Sequence, residues 1–190
     1  PLEALEFEAA MRWQLGEPDY IVTAADNEVA ATGVMDYLYD DIELPFTEDK
    51  WISAVQYQAG DQSVLHHLMT FVTAPDEDFW GAERQLESVT RRFVEGYAPG
   101  DSQAIVYPRG TGVKIPQGYG LSMQFHYVTN GQATVDKTRL GLYFSDDPAL
   151  TEILSQVVSP RFVLPPNQRE FAMQAQHLFE EAVVIIGVRA

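Results

Sequence analysis

The chain has no cysteine, which excludes thiolate metal sites, nucleophilic thiols and disulfide staples together. Basic residues are few: 12 Lys and Arg stand against 28 Asp and Glu, a formal net charge of −16. A surface of that sign repels phosphate backbones and anionic lipid, so nucleic-acid and membrane-surface partners are not expected. Long apolar runs are missing as well. The longest, Ala182 to Val188, has the size of a strand and falls far short of a membrane span. No basic-then-apolar leader opens the sequence, and a start at Pro1 reads as a processed or trimmed product. Histidine is scarce too, with four in 190 residues.

What is present is a foldable core. Apolar residues make up 46% of the chain, enough for one sizeable core, and 13 Gly with 11 Pro suit many short strands joined by turns. Leu2 to Leu15 has apolar residues near helical spacing, so a short N-terminal helix is expected, closed by Gly16-Glu17-Pro18-Asp19. Tyr20–Ala24 and Val34–Leu44 read as strands, with a polar turn at Asp26-Asn27. Trp51–Ala59 and Ser63–Thr73 alternate on either side of Gly60-Asp61, which predicts a hairpin. Acids after Pro75 and the spacing from Phe79 to Tyr97 predict a surface helix, stopped by Ala98-Pro99-Gly100.

Short strands and turns fill the glycine- and proline-punctuated stretch 108–120, and Leu121–Thr129 and Thr138–Ser145 are strands around the Asn130-Gly131 turn. Asp146-Asp147-Pro148 caps a short helix through Val157, and Phe162–Leu164, Glu170–Leu178 and Ala182–Arg189 are further strands. The expected fold is all-β: an antiparallel jelly-roll sandwich with a short N-terminal helix and one or two surface helices. Asp40-Asp41 reads as a solvated edge rather than a calcium site.

Three of the four histidines fall in two strand-like runs, Ser63–Val72 and Met123–Tyr127. One histidine in such a run is ordinarily a core residue with a single hydrogen bond. Three need partners for several ring nitrogens, and one metal ion would satisfy them together. Both readings stand on the residues alone. In a regular strand His66 and His67 point to opposite faces, so a shared metal demands a twist or bulge between them. Gln124 and His126 are two apart and share a face. His177 has no second histidine near it and reads as structural.

The segments Leu65-His66-His67-Leu68-Met69-Thr70-Phe71 and Leu121-Ser122-Met123-Gln124-Phe125-His126-Tyr127 resemble the copper type II, ascorbate-dependent monooxygenases. That family includes peptidylglycine α-hydroxylating monooxygenase and dopamine β-monooxygenase, and its bacterial members are the more similar. Further echoes are Trp13–Asp19, Phe46–Trp51, Gly96–Gly100, Tyr107–Gly112, Asn130-Gly131 and Asp136–Phe144, so the likeness runs over most of Trp13 to Phe144.

The resemblance implies two jelly-roll domains with one copper each, the first transferring electrons and the second activating O₂. It implies His66, His67 and His126 as first-domain copper ligands, Gln124 as an amide near the electron route, ascorbate or another reductant as donor, and an extracytoplasmic location. Residues 1–145 would be the copper domain, with 1–19 a helical arm, and 146–190 a linker and the opening strands of an incomplete second sandwich. The family's His-x-His for the oxygen site is missing from these residues. The expected function is therefore electron transfer, with hydroxylation requiring a second copper domain or partner subunit. The alternatives are a non-catalytic copper-binding or structural sandwich in a larger extracellular assembly, and a zinc hydrolase or lyase with an open fourth position. A cupin-type oxygenase ranks lower, since its ligands begin with His-x-His.

Overall fold

A computed structural model describes residues 12–77, 92–100, 104–147, 150–158, 163, 165–168 and 170–188. Among these there are twelve strands: β1 (Tyr20–Thr23), β2 (Asn27–Val29), β3 (Leu38–Ile42), β4 (Lys50–Gln58), β5 (Leu65–Thr73), β6 (Phe93–Tyr97), β7 (Ile105–Val106), β8 (Thr111–Ile115), β9 (Gly120–Tyr127), β10 (Thr134–Asp136), β11 (Arg139–Phe144) and β12 (Thr151–Glu152). One sheet runs β1-β11-β4-β8-β12, with β7 also on β4; a second runs β3-β9-β5-β6; β10 and β2 form a separate pair. All pairings are antiparallel except the parallel edge of β12 on β8. The molecule is an all-β sandwich, as its alternating apolar runs lead one to expect.

Consecutive strands repeatedly change sheets, and this overturns one expectation. β4 and β5 do not form a hairpin; they belong to opposite sheets. The reason lies in the corner between them. Gly60 is so close to the next segment that a Cβ would stand 2.2 Å from the Lys137 nitrogen, and Asp61 N–H donates to Asp136 Oδ1 at 2.7 Å. The Gly-Asp chemistry therefore ties the corner to β10 and its neighbours instead of closing a two-strand turn.

The core is the layer between the sheets. Val22, Val55, Tyr57, Leu140 and Leu142 come from the first sheet, and Leu65, Leu68, Val72, Leu121, Met123, Phe125 and Tyr127 from the second, all at most 3% exposed. Each fully buried side chain of this size contributes about 1.5–3 kcal/mol relative to exposure. The Tyr57 hydroxyl bridges the sheets, 2.8 Å from both Thr70 Oγ1 and the Glu95 carbonyl. Residues 12–19 cover the outer face of the first sheet. Gln56, fully buried, donates to the Arg12 carbonyl and accepts from Gln14 N–H, while Gly141 leaves room for Trp13 and Pro18.

Other expectations are corrected by the same pairing. The expected helix 79–97 lies largely outside the described residues, but its end is strand: Phe93–Tyr97 pairs with β5. The short helix expected through Val157 is replaced in part by β12, whose two residues add to β8. The N-terminal helix falls mostly outside the described residues, and Arg12 to Leu15 are not helical. The strand expected over Val34–Leu44 shrinks to β3, and Asn27, expected in a turn, begins β2. Described residues 170–188 pair in no strand and are exposed, so the runs expected to be strands there have no sheet to join. An unpartnered strand has little to hold it in water.

Candidate metal centre

The outer face of the second sheet is built in rows that cross its strands. His67 of β5 lies opposite His126 of β9, and the next row holds Tyr39, Gln124 and Met69 in register. Phe125 and Tyr127, on either side of His126, point inward and are buried, so pleating turns His126 out. His67 follows by the same alternation from Leu68, which is fully buried.

His66 should then point inward, and a bulge prevents it. Leu65 pairs with Tyr127 and His67 with His126, so two steps on β5 match one on β9. The extra residue is His66. A bulge of this kind re-aims the inserted side chain and brings two neighbours to one side of the strand. His66 is exposed, and His67 and His126 are half-buried.

The three imidazoles converge. Their candidate ligand atoms lie within 4.8 Å of one another, and no Asp or Glu among the described residues joins the group. His67 Nδ1 is 3.0 Å from His66 Nδ1 and 3.4 Å from His126 Nδ1. Nitrogens bound to one ion at about 2.0–2.1 Å stand roughly 3.3–3.6 Å apart in tetrahedral or trigonal geometry. Two of the three nitrogen pairs therefore stand close to the spacing that one small ion imposes. Without an ion, a close nitrogen pair requires one member to donate a proton and the other to accept it. Burial, then the neighbouring His126 and His66, hold the His67 pKa below its ordinary 6.5. Metal ligation needs that neutral form.

Both histidine strands are anchored to one buried carboxylate. Asp136 is fully buried; its Oδ2 accepts from the Tyr127 hydroxyl at 2.9 Å and from Thr138 Oγ1 at 2.7 Å. Its Oδ1 accepts from Asp61 N–H, in the corner that leads into β5. Asn27 Nδ2 donates to the Tyr127 oxygen at 3.0 Å. Burial and the nearby Asp136 carboxylate push the Tyr127 phenol well above its ordinary range, so it remains a donor. Thus Asp136 fixes the residue after His126 and the turn before His66.

Gln124 shares the outer face with His126, and its Nε2 lies 3.4 Å from the Tyr39 hydroxyl, a long contact. His177 lies outside the cluster and packs edge-on to Phe179 at 4.8 Å. A cleft of about 540 Å³ at Asp19, Glu48, Lys50 and Phe144 includes none of the three histidines. One residue escaped the sequence reading. Tyr37 stacks on His126, ring centroids 4.7 Å apart and planes at 21°. The signal for it was the Tyr37/Tyr39 spacing of two, which puts both rings on one face of a strand.

Neither a scan against protein-family models nor a search of the curated proteins matches this chain to anything.

Proposed function

We propose that the chain is a copper-binding, electron-transferring module of the copper type II monooxygenase kind. The convergence of His66, His67 and His126 at one bulge on a rigid sheet carries the reading. The resemblance in the two histidine segments supports copper in particular. Copper held by three imidazoles can pass between Cu(I) and Cu(II), because nitrogen donors accept both states.

The protein's own contribution is to hold three rings in place. Burial favours the neutral form of His67, the inward Phe125 and Tyr127 turn His126 outward, and exposed His66 leaves the centre open to a reductant from solvent. No fourth His, Cys, Asp or Glu joins the cluster among the described residues, and no His-x-His occurs in the sequence. Oxygen chemistry on a peptide or phenethylamine substrate is therefore assigned to a second copper site outside these ligands.

Copper titration followed by reduction with ascorbate tests this. The expected result is close to one equivalent of copper per chain, reduced by ascorbate and reoxidised slowly, with no hydroxylated product. Tight zinc binding with no redox-active copper would replace the reading by the zinc-hydrolase one. No metal uptake would leave a structural sandwich. Hydroxylated product above free-copper background, abolished in His126→Ala, would show that this domain carries out oxygen chemistry alone.

A further inference from the structure

Tyr37 sits at the end of the row that carries the histidines. β3 pairs with β9 from Leu38 opposite Phe125, and continuing that register by one residue sets Tyr37 opposite His126. The row then reads Tyr37, His126, His67, from the residue just before β3 across β9 to β5. Tyr37 lies nearly parallel to the His126 ring at 4.7 Å and tilted by 53° to His67 at 6.1 Å. The loop leading to it is tied at two points to the segment that follows β9. Gly131 N–H donates to the Ala31 carbonyl at 2.8 Å, and Thr129 Oγ1 donates to the Gly33 carbonyl at 3.0 Å. Asp40 Oδ2 accepts from Ala25 N–H at 2.7 Å on the other side. A 43% exposed tyrosine is thus held over one imidazole by backbone anchors around it.

His126 needs such a support more than its partners do. His66 and His67 are adjacent residues whose directions the bulge sets together, whereas His126 reaches the cluster from another strand. Its side-chain torsions decide whether its Nδ1 faces the other two.

We propose that Tyr37 is a positioning residue for the metal centre: its ring packs on His126, holds that imidazole in the ligating rotamer and covers this flank of the ion. The inference rests on the copper reading above. The stacked face is what matters, so the hydroxyl is dispensable. A ring pair of this kind stabilises its geometry by enough to change affinity roughly threefold to tenfold.

The test compares wild type, Tyr37→Phe and Tyr37→Ala by copper affinity against a chromophoric chelator and by the electron paramagnetic resonance of the Cu(II) form. In metal-free protein, the ring protons of His126, assigned by their loss in His126→Ala, report the stack through ring-current shifts. The expected result is copper affinity about threefold to tenfold weaker in Tyr37→Ala, with broadened hyperfine structure, and near wild-type behaviour in Tyr37→Phe. The His126 ring protons should move downfield in Tyr37→Ala alone. Affinity and spectrum unchanged in Tyr37→Ala would overturn the positioning role while leaving the copper reading intact. A wild-type chain that takes up no copper overturns both, and the ring-current shift then tells whether the stack exists without a metal to serve.

Discussion

At the scale of single residues, the centre depends on three rings whose roles differ. In the proposed copper site His126 is the one histidine of the described cluster that comes from β9, so His126→Ala leaves an adjacent pair that coordinates poorly. Loss of a supporting group around a metal typically costs 10–100-fold in affinity, and loss of a ligand costs more, so copper binding should weaken by more than about 100-fold. His177→Ala should change it little, since that ring lies away from the cluster. Chelator competition on both variants measures the contrast. Acid acts on His67. His67 is held below 6.5 in the folded chain, so between that lowered value and 6.5 the unfolded chain binds more protons. Metal-free stability should accordingly fall as pH drops through this window, and copper should be released only below it, where the folded His67 takes up a proton. Denaturant midpoints at pH 7.5 and pH 5, with and without copper, read both effects.

At the scale of elements, the anchors of the two histidine strands matter as much as the ligands. Asp136→Ala strips acceptors from the Tyr127 hydroxyl, the Thr138 hydroxyl and Asp61 N–H in a fully buried place. Each buried donor left unpaired costs about 1–3 kcal/mol, so a loss of several kcal/mol is expected in urea unfolding. Gly60→Ala should cost roughly 3 kcal/mol, at the upper end for overpacking, because its neighbour is backbone and cannot step aside.

These same elements show what could be read beforehand. The strands carrying His66, His67 and His126 were legible because alternation and β-branched content are local, and the need for a bulge followed from two adjacent histidines having to share a face. The partner of β4 was not legible. Gly60-Asp61 has hairpin chemistry, yet the Asp61 N–H goes to Asp136, seventy-five residues further along, which local pattern cannot announce. Phe93–Tyr97 misled for a related reason, since apolar spacing suited a helix while β5 supplied a ladder.

At the scale of the whole molecule, a packed sandwich carries an exposed apolar stretch. Leu178, Val184 and Val188 are each 86% exposed, in a segment with strong strand preference and no strand partner among the described residues. Such a segment is a template for association. Light scattering of the whole chain should show self-association that rises with concentration, and truncation after Val158 should remove it. The truncated protein should keep its copper affinity and its melting temperature within a few degrees, because the described residues beyond Val158 are all exposed.

The bulge at His66 has a genetic side. Leu65 and His67 already hold regular places opposite Tyr127 and His126, so deleting His66 would let β5 and β9 zip without interruption. The sandwich would keep its core, and only the third imidazole would vanish. A loss or gain of one codon is thus enough to convert an ordinary sheet face into a three-histidine centre, or back again, with the rest of the gene unchanged.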